Sequence, residues 1–260
     1  MKLTVVGSSG SVSGPTSAAS CYLLQAEDGG GRTWNLLLDL GPGAVGQAMN
    51  YVDPAGVDAV LLSHLHADHI ADVAGLDVLV RYGPGSPRSP VPVYGPPGTE
   101  ERITQLCGES TDPDKTSAFT YRTWREGERV QLGPVSVEPF EVLHPVLAYA
   151  VRITGPGAAG DGTRVLTYTG DTDLCAGVSE AADGADVLLS EAAFQEGRDL
   201  VRGIHLTGLR AGQLATNAGA GRLILTHIPP WTCARTVQEE ARHAYGGPLE
   251  LARPGATWQV

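Results

Sequence analysis

The stretch "LLSHLHADHI", Leu61 to Ile70, places three of the chain's seven histidines and one aspartate within six positions. The apolar run that leads into it, "AVLLS", reads as a strand, and the residues after it open a helix expected over Ile70 to Tyr82. The end of a strand puts His64 and His66, two apart, on one side. Asp68 and His69 follow in the turn that opens the helix. Imidazole and carboxylate are the expected ligands of zinc, manganese or iron. So compact a set can serve two ions, His64 and His66 holding one, Asp68 and His69 the other. A plain turn with surface histidines has no need of four ligand-type residues at this spacing.

Further ligands stand in similar places. "FEVLHPV" ends at His144, "RVLTYTGDT" at Asp171 and "RLILTHIPP" at His227, each an apolar strand followed by Gly, Pro or Thr loop chemistry. His205 opens an expected helix, "HLTGLRAGQLA", and only His243 looks like an ordinary helix-surface histidine. Strands are expected at "LTVVG", "SCYLLQA", "WNLLLDLG", "VDAVLLSH", "VPVYG", "FTYRTW", "VSVEPFEVLH", "AYAVRIT", "RVLTYTGD", "ADVLLSEAAF", "RLILTHI" and a closing "LELARP". Helices are expected at "TEERITQLCG", from Leu174 to Ala182, at "LTGLRAGQLATNAG" and from Thr236 to Tyr245. Two packed sheets with helices outside would bury all of them. No repeat, low-complexity tract or charge run marks a boundary, so residues 1–260 read as one domain.

With 260 residues the chain can bury a large core. Its net charge of −11 counts against a large nucleic-acid partner, because phosphate binding needs clustered Lys and Arg. Four scattered cysteines form no C-x-x-C pair and read as reduced thiols. The start "MKLTVVGSSGS" has too short an apolar run for a signal-peptide core, and no window approaches a membrane span. A soluble cytoplasmic protein without membrane contact is expected.

"HLHADH", His144, "TGD" with Asp171 and "LTHIPP" with His227 resemble the metallo-β-lactamase superfamily in its hydrolase branch. The likeness spans essentially the whole chain. It implies an α/β fold, an αββα four-layer sandwich of two mixed β-sheets with helices outside. It also implies that His64, His66 and His144 hold one divalent ion, that Asp68, His69 and His227 hold the other, and that Asp171 bridges. Zinc is the first expectation, manganese or iron the alternatives. "SEAAF" followed by "HLTGLRAGQLA" and "LILTHIPPW" is similar to the ribonuclease Z-like phosphodiesterases. Closer still, "GSSGSVSGPTSAASCYLL" and "LLSEAAF…HLTG…LTHIPPWT" resemble the actinobacterial cyclic-nucleotide phosphodiesterases of this fold. A homodimer is a guess from the fold.

Two such ions suit hydrolysis of a phosphodiester anion. The leaving oxygen needs a proton, for which His205 is the candidate, and Glu191 could orient it or be a structural carboxylate. Asp68 is expected to hydrogen-bond the nucleophile, a dual role seen in the family. The loop "GSSGSVSG", with Ser9, Gly10 and Ser11, could offer backbone N–H groups to a phosphate or be a connector. It lacks the lysine of an NTPase phosphate loop. Trp231 could stack on a nucleobase or be a core aromatic. The first expectation is conversion of cyclic AMP to 5′-AMP. The alternatives are tRNA 3′-end processing, lactone or thioester hydrolysis by the same metal set, and a non-enzymatic binding module, which would have lost a ligand. None is lost, and the long basic arm usual in tRNA-processing relatives is missing between His144 and Asp171.

Overall fold

The computed structural model describes residues 1–86, 88–108, 117–160 and 162–260. The elements run β1 (Lys2–Ser9), β2 (Ala18–Ala19), β3 (Cys21–Glu27), β4 (Thr33–Leu38), α1 (Ala44–Ala48), β5 (Ala59–Leu61), α2 (Ala67–Ile70), α3 (Val73–Tyr82), β6 (Val91–Gly95), α4 (Thr99–Cys107) and β7 (Phe119–Thr123). The second half runs β8 (Val130–Leu132), β9 (Val135–Val142), β10 (Ala148–Pro156), β11 (Thr163–Tyr168), α5 (Ala176–Ala182), β12 (Val187–Glu191), α6 (Gly208–Asn217), β13 (Leu223–Thr226), α7 (Ala234–Ala244), β14 (Leu249–Leu251) and β15 (Thr257–Gln259).

These strands form two mixed sheets, β15-β1-β3-β4-β5-β6-β7 with β2 beside β1, and β14-β13-β12-β11-β10-β9-β8. Their pairing patterns match. Three antiparallel pairs, from β15 to β4, are followed by three parallel ones to β7. The second sheet repeats this from β8 through β11 to β14. In this correspondence β15 matches β8, although it lies at the other end of the chain. It returns to pair with β1, and Val260 N donates to Met1 O at 3.0 Å.

The strand period of two divides the core into three shells. Leu24, Leu36 and Leu61 of the first sheet face Val151, Leu166 and Leu189 of the second. Leu23, Leu37 and Val60 turn outward onto Val73, Leu76 and Ile103 of the helices on that side. Leu188 and Leu225 pack on Val178, Leu214 and Val237 on the other. This is the expected αββα sandwich. Small residues bring α6 and α7 close: a Cβ on Gly208 would lie 2.0 Å from Val237 O.

Several boundaries differ from expectation. The helix expected from Ile70 is two helices, α2 and α3, broken at Ala71–Asp72. His205 does not begin a helix, because Thr207 caps α6, its side chain accepting from Arg210 N. The strand "LELARP" keeps only its first three residues and does not close the chain, a place taken by β15. The four cysteines are unpaired, and among the described residues no helix is long and apolar enough to cross a membrane.

Candidate metal centre

The pairing directions aim β1, β4 and β5 one way in the first sheet and β9, β11, β12 and β13 one way in the second. A parallel bridge from Ser9 to Ile228 joins the two carboxyl edges. Strand ends, and the loops and short helix held at that edge by the scaffold, carry the metal-ligand candidates with Glu191 and His205. His64 follows β5, His144 follows β9, Asp171 follows β11, Glu191 ends β12 and His227 follows β13. His66 is the residue before α2, and Asp68 and His69 lie within that helix.

Three groups of potential ligands result: His64, His66 and His144; Asp68, His69, Asp171 and His227; and Asp171 with Glu191 and His205. In the first, His66 Nδ1 lies 3.0 Å from His64 Nε2 and 3.1 Å from His144 Nε2. The far nitrogens are anchored: His144 Nδ1 donates to Ile204 O at 2.9 Å, and His64 Nδ1 to Ser63 Oγ at 3.0 Å. Such anchoring leaves both Nε2 atoms as lone-pair donors, the tautomer a metal requires. In the second cluster, Asp171 Oδ2 is 3.2 Å from His69 Nε2 and 3.3 Å from His227 Nε2, with Asp68 Oδ2 3.4 Å from His69 Nε2. Asp171 Oδ2 also reaches to 3.8 Å from His64 Nε2, so one carboxylate lies between the clusters. His69 Nδ1 donates to Asp39 Oδ2 at 2.7 Å, and His227 Nδ1 meets Ser20 Oγ at 2.8 Å.

For four of the five histidines in the first two clusters the electrostatics favour the same ligand form. Burial pushes His64, His66, His144 and His227 below the ordinary histidine value, toward the neutral ligand form. Burial also opposes charge on His69, but the carboxylates of Asp171 and Asp39 overrule it and raise the group well above that value. Burial would raise Asp68, yet His69 and His227 hold it well below the usual carboxylate range. His69 Nε2, Asp171 Oδ1 and His227 Nε2 are buried with no hydrogen-bond partner. Buried polar atoms left unpaired are costly, and three on residues of one cluster call for a cation. The donor set therefore fits divalent metal ions.

Beside these clusters, His205 Nδ1 meets Glu191 Oε1 at 2.8 Å. Glu191 is fully buried, its Oε1 accepting from Thr172 N at 2.9 Å and its Oε2 from Ala193 N at 3.0 Å. Burial opposes a charge on His205, but Glu191 and then Asp171 reverse that and hold it at about 9. The substrate-contact candidates fare differently. A Cβ on Gly10 would meet His227 O at 2.2 Å, so the loop lies directly on the His227 backbone. Ser9 is buried, while Ser11 is exposed and left-handed at φ 61. Trp231 is 64% exposed, which overturns the core-aromatic alternative.

Asp39 is the residue that sequence reasoning missed. It follows β4, is fully buried and is left-handed at φ 56. Its carboxylate accepts from Ser63 N at 2.7 Å, Ser63 Oγ at 2.8 Å, His69 Nδ1 at 2.7 Å and Tyr168 Oη at 2.6 Å. It thus buttresses His69 directly and His64 through Ser63. The available signal was its place, an acidic residue just past the end of an apolar strand, like Asp171.

Comparison with known proteins places these features in context. A model described as "Beta-lactamase superfamily domain" matches residues 34–228. The chain is 41% identical over 266 residues to the uncharacterized protein ML1173 of Mycobacterium leprae, covering 100% of this chain and 89% of that one. It is 32% identical to the probable metallo-hydrolase YhfI of Bacillus subtilis, with 100% of both chains covered. The crystal structure of YhfI superposes with a TM-score of 0.85, covering 100% of this chain and 98% of that one. A ribonuclease Z of Halorubrum lacusprofundi is 28% identical over 311 residues, covering 100% and 97%.

Proposed function

Since the chain belongs to the beta-lactamase superfamily and to its ribonuclease Z-like branch, where it is a metallo-hydrolase by family, we propose that it is a phosphodiesterase opening 3′,5′-cyclic nucleotides, cyclic AMP to 5′-AMP. The observation that carries this reading is the Glu191–His205 pair, 2.8 Å between Oε1 and Nδ1, set against the two ligand clusters. A metal hydrolase acting on an ester with a good leaving group has little use for a buried, charged imidazole. An alkoxide leaving group needs one.

His64, His66 and His144 would hold one ion, Asp68, His69 and His227 the other, with Asp171 between them. Two divalent ions, zinc in the first instance, would supply an activated water and neutralise the phosphate. The residues do the rest. Asp68 lies at the mouth of the second cluster, partly exposed, and accepts a hydrogen bond from the attacking water, aligning it on phosphorus. Attack in line with the ribose 3′ oxygen breaks the P–O3′ bond. His205, with Nδ1 committed to Glu191, gives its Nε2 proton to that oxygen, and the 5′-monophosphate remains. Glu191 holds the ring and favours its charged form. The exposed Trp231 and the Ser9–Ser11 loop stand at the same edge for the base and phosphate. Among the described residues the hairpin from β10 to β11 has no arm with which to grip a tRNA.

The test is a screen of metal-loaded protein against cyclic AMP, bis(p-nitrophenyl) phosphate and precursor tRNA. Turnover of cyclic AMP to 5′-AMP is expected. His205→Ala should keep its metal and lose roughly 10²-fold in kcat on cyclic AMP, with little loss on the p-nitrophenyl diester. Efficient tRNA trimming without cyclic-nucleotide turnover would replace this reading with tRNA 3′ processing.

A further inference from the structure

Arg210 is in the wrong place by every local rule. It sits in the first turn of α6, where the helix dipole disfavours a cation, and it is only 7% exposed. Burying a guanidinium is costly unless it is paired. One of its terminal nitrogens, Nη2, has no partner. The other, Nη1, donates to Asp173 Oδ1, and Nε lies 3.4 Å from Thr207 Oγ1. Its Nε also lies 4.0 Å from Oε2 of the more exposed Glu196, so the buried Asp173 is the closer of its two acidic partners, and a residue that breaks local rules for such a contact points to that contact's function.

Asp173 ties three loops together. Its backbone N donates to Leu143 O at 2.9 Å, next to His144. Its Oδ1 accepts from Leu174 N at 2.7 Å, within its own loop, two residues beyond Asp171. Its Oδ2 accepts from Gly203 N at 2.7 Å, two residues before His205. The adjoining Ile204 O accepts a hydrogen bond from His144 Nδ1 at 2.9 Å. The segment from Ala192 to Leu206 is otherwise a long connection whose tip, Leu200 and Val201, is largely exposed.

We propose that Arg210 and Asp173 are a positioning pair for His205. The ion pair fixes the Gly203–His205 backbone against the loops of His144 and Asp171, and so sets the reach of the imidazole to the leaving oxygen. Neither residue touches substrate. This rests on the reading of His205 as the proton donor.

The experiment is a double-mutant cycle with Arg210→Met and His205→Ala, read on cyclic AMP and on bis(p-nitrophenyl) phosphate, with metal content and circular dichroism as controls. Arg210→Met should keep both and lose about 10-fold in kcat on cyclic AMP, with KM little changed and a much smaller loss on the p-nitrophenyl diester. In the His205→Ala background it should cost nothing further on cyclic AMP. Arg210→Lys should recover part of the rate. Losses that add in the double variant, or that are equal on both substrates, would overturn the proposal. Should Arg210→Met fail to fold, Asp173→Asn takes its place in the cycle under the same criteria. If His205→Ala alone loses equally on both diesters, the proton-donor reading fails. The additivity of the cycle still decides whether Arg210 acts through His205.

Discussion

Asp39 accepts four hydrogen bonds on two oxygens, three of them on Oδ2. Asn at this position keeps the volume but turns an amide toward donors, so at least one buried donor is left unpaired. Asp39→Asn should weaken metal binding by roughly 10–100-fold, as loss of a partner behind a metal-binding histidine does. Chelator competition would measure it, and both clusters should suffer, since His69 and His64 share this support. His205 makes a second single-residue case. Its value in the folded, metal-free chain is raised from 6.5 to about 9. Stability from a raised histidine is complete below its unfolded value and is lost as pH climbs through the folded one. The stability gap between wild type and His205→Gln should therefore be widest below pH 6.5 and close as pH rises through about 9. A gap that widens on this path would contradict the pairing with Glu191. The seven ligand candidates were legible because four share one motif and the other three each end an apolar run. Asp39 was not, since its meaning lies in partners 24 to 129 positions away.

At the scale of elements, the loop after β1 lies on the loop after β13, and glycine permits that contact. A Cβ on Gly10 would meet His227 O at 2.2 Å and His227 C at 2.7 Å, backbone atoms that cannot rotate aside. His227 itself is left-handed at φ 53, so it has little freedom to adapt. Gly10→Ala should cost about 1–3 kcal/mol in thermal unfolding and selectively weaken the cluster that contains His227. Loss of metal from the His64 cluster alone would show that the loop bears elsewhere. The longer strands and helices were readable from apolar runs and their Gly, Pro and Asp borders. β2, β8 and β15 were not, having two or three residues each, too few to show alternation. α1, between Gly43 and Met49, has five residues and only part of one face to display. His205 was placed on a helix because the capping residue, Thr207, lies only two positions on.

For the whole molecule, the match between the two sheets was invisible in the sequence, because β15 stands at the far end of the chain from its counterpart. The first sheet cannot close until β15 has been made, and until then β1 keeps an open edge along Lys2–Thr4. The second sheet, by contrast, is one unbroken stretch from β8 to β14. With Val260 bonded to Met1, a short linker could join the ends, and the chain could be cut at the exposed Gly127 turn between β7 and β8. The permuted order would run β8 to β14, then β15, then β1 to β7, so that each sheet becomes a local assembly. Folding rate follows the sequence separation of contacts. The permuted protein should bind metal as before and refold faster in stopped-flow measurements, with its two sheets becoming consecutive chapters of synthesis rather than interleaved ones.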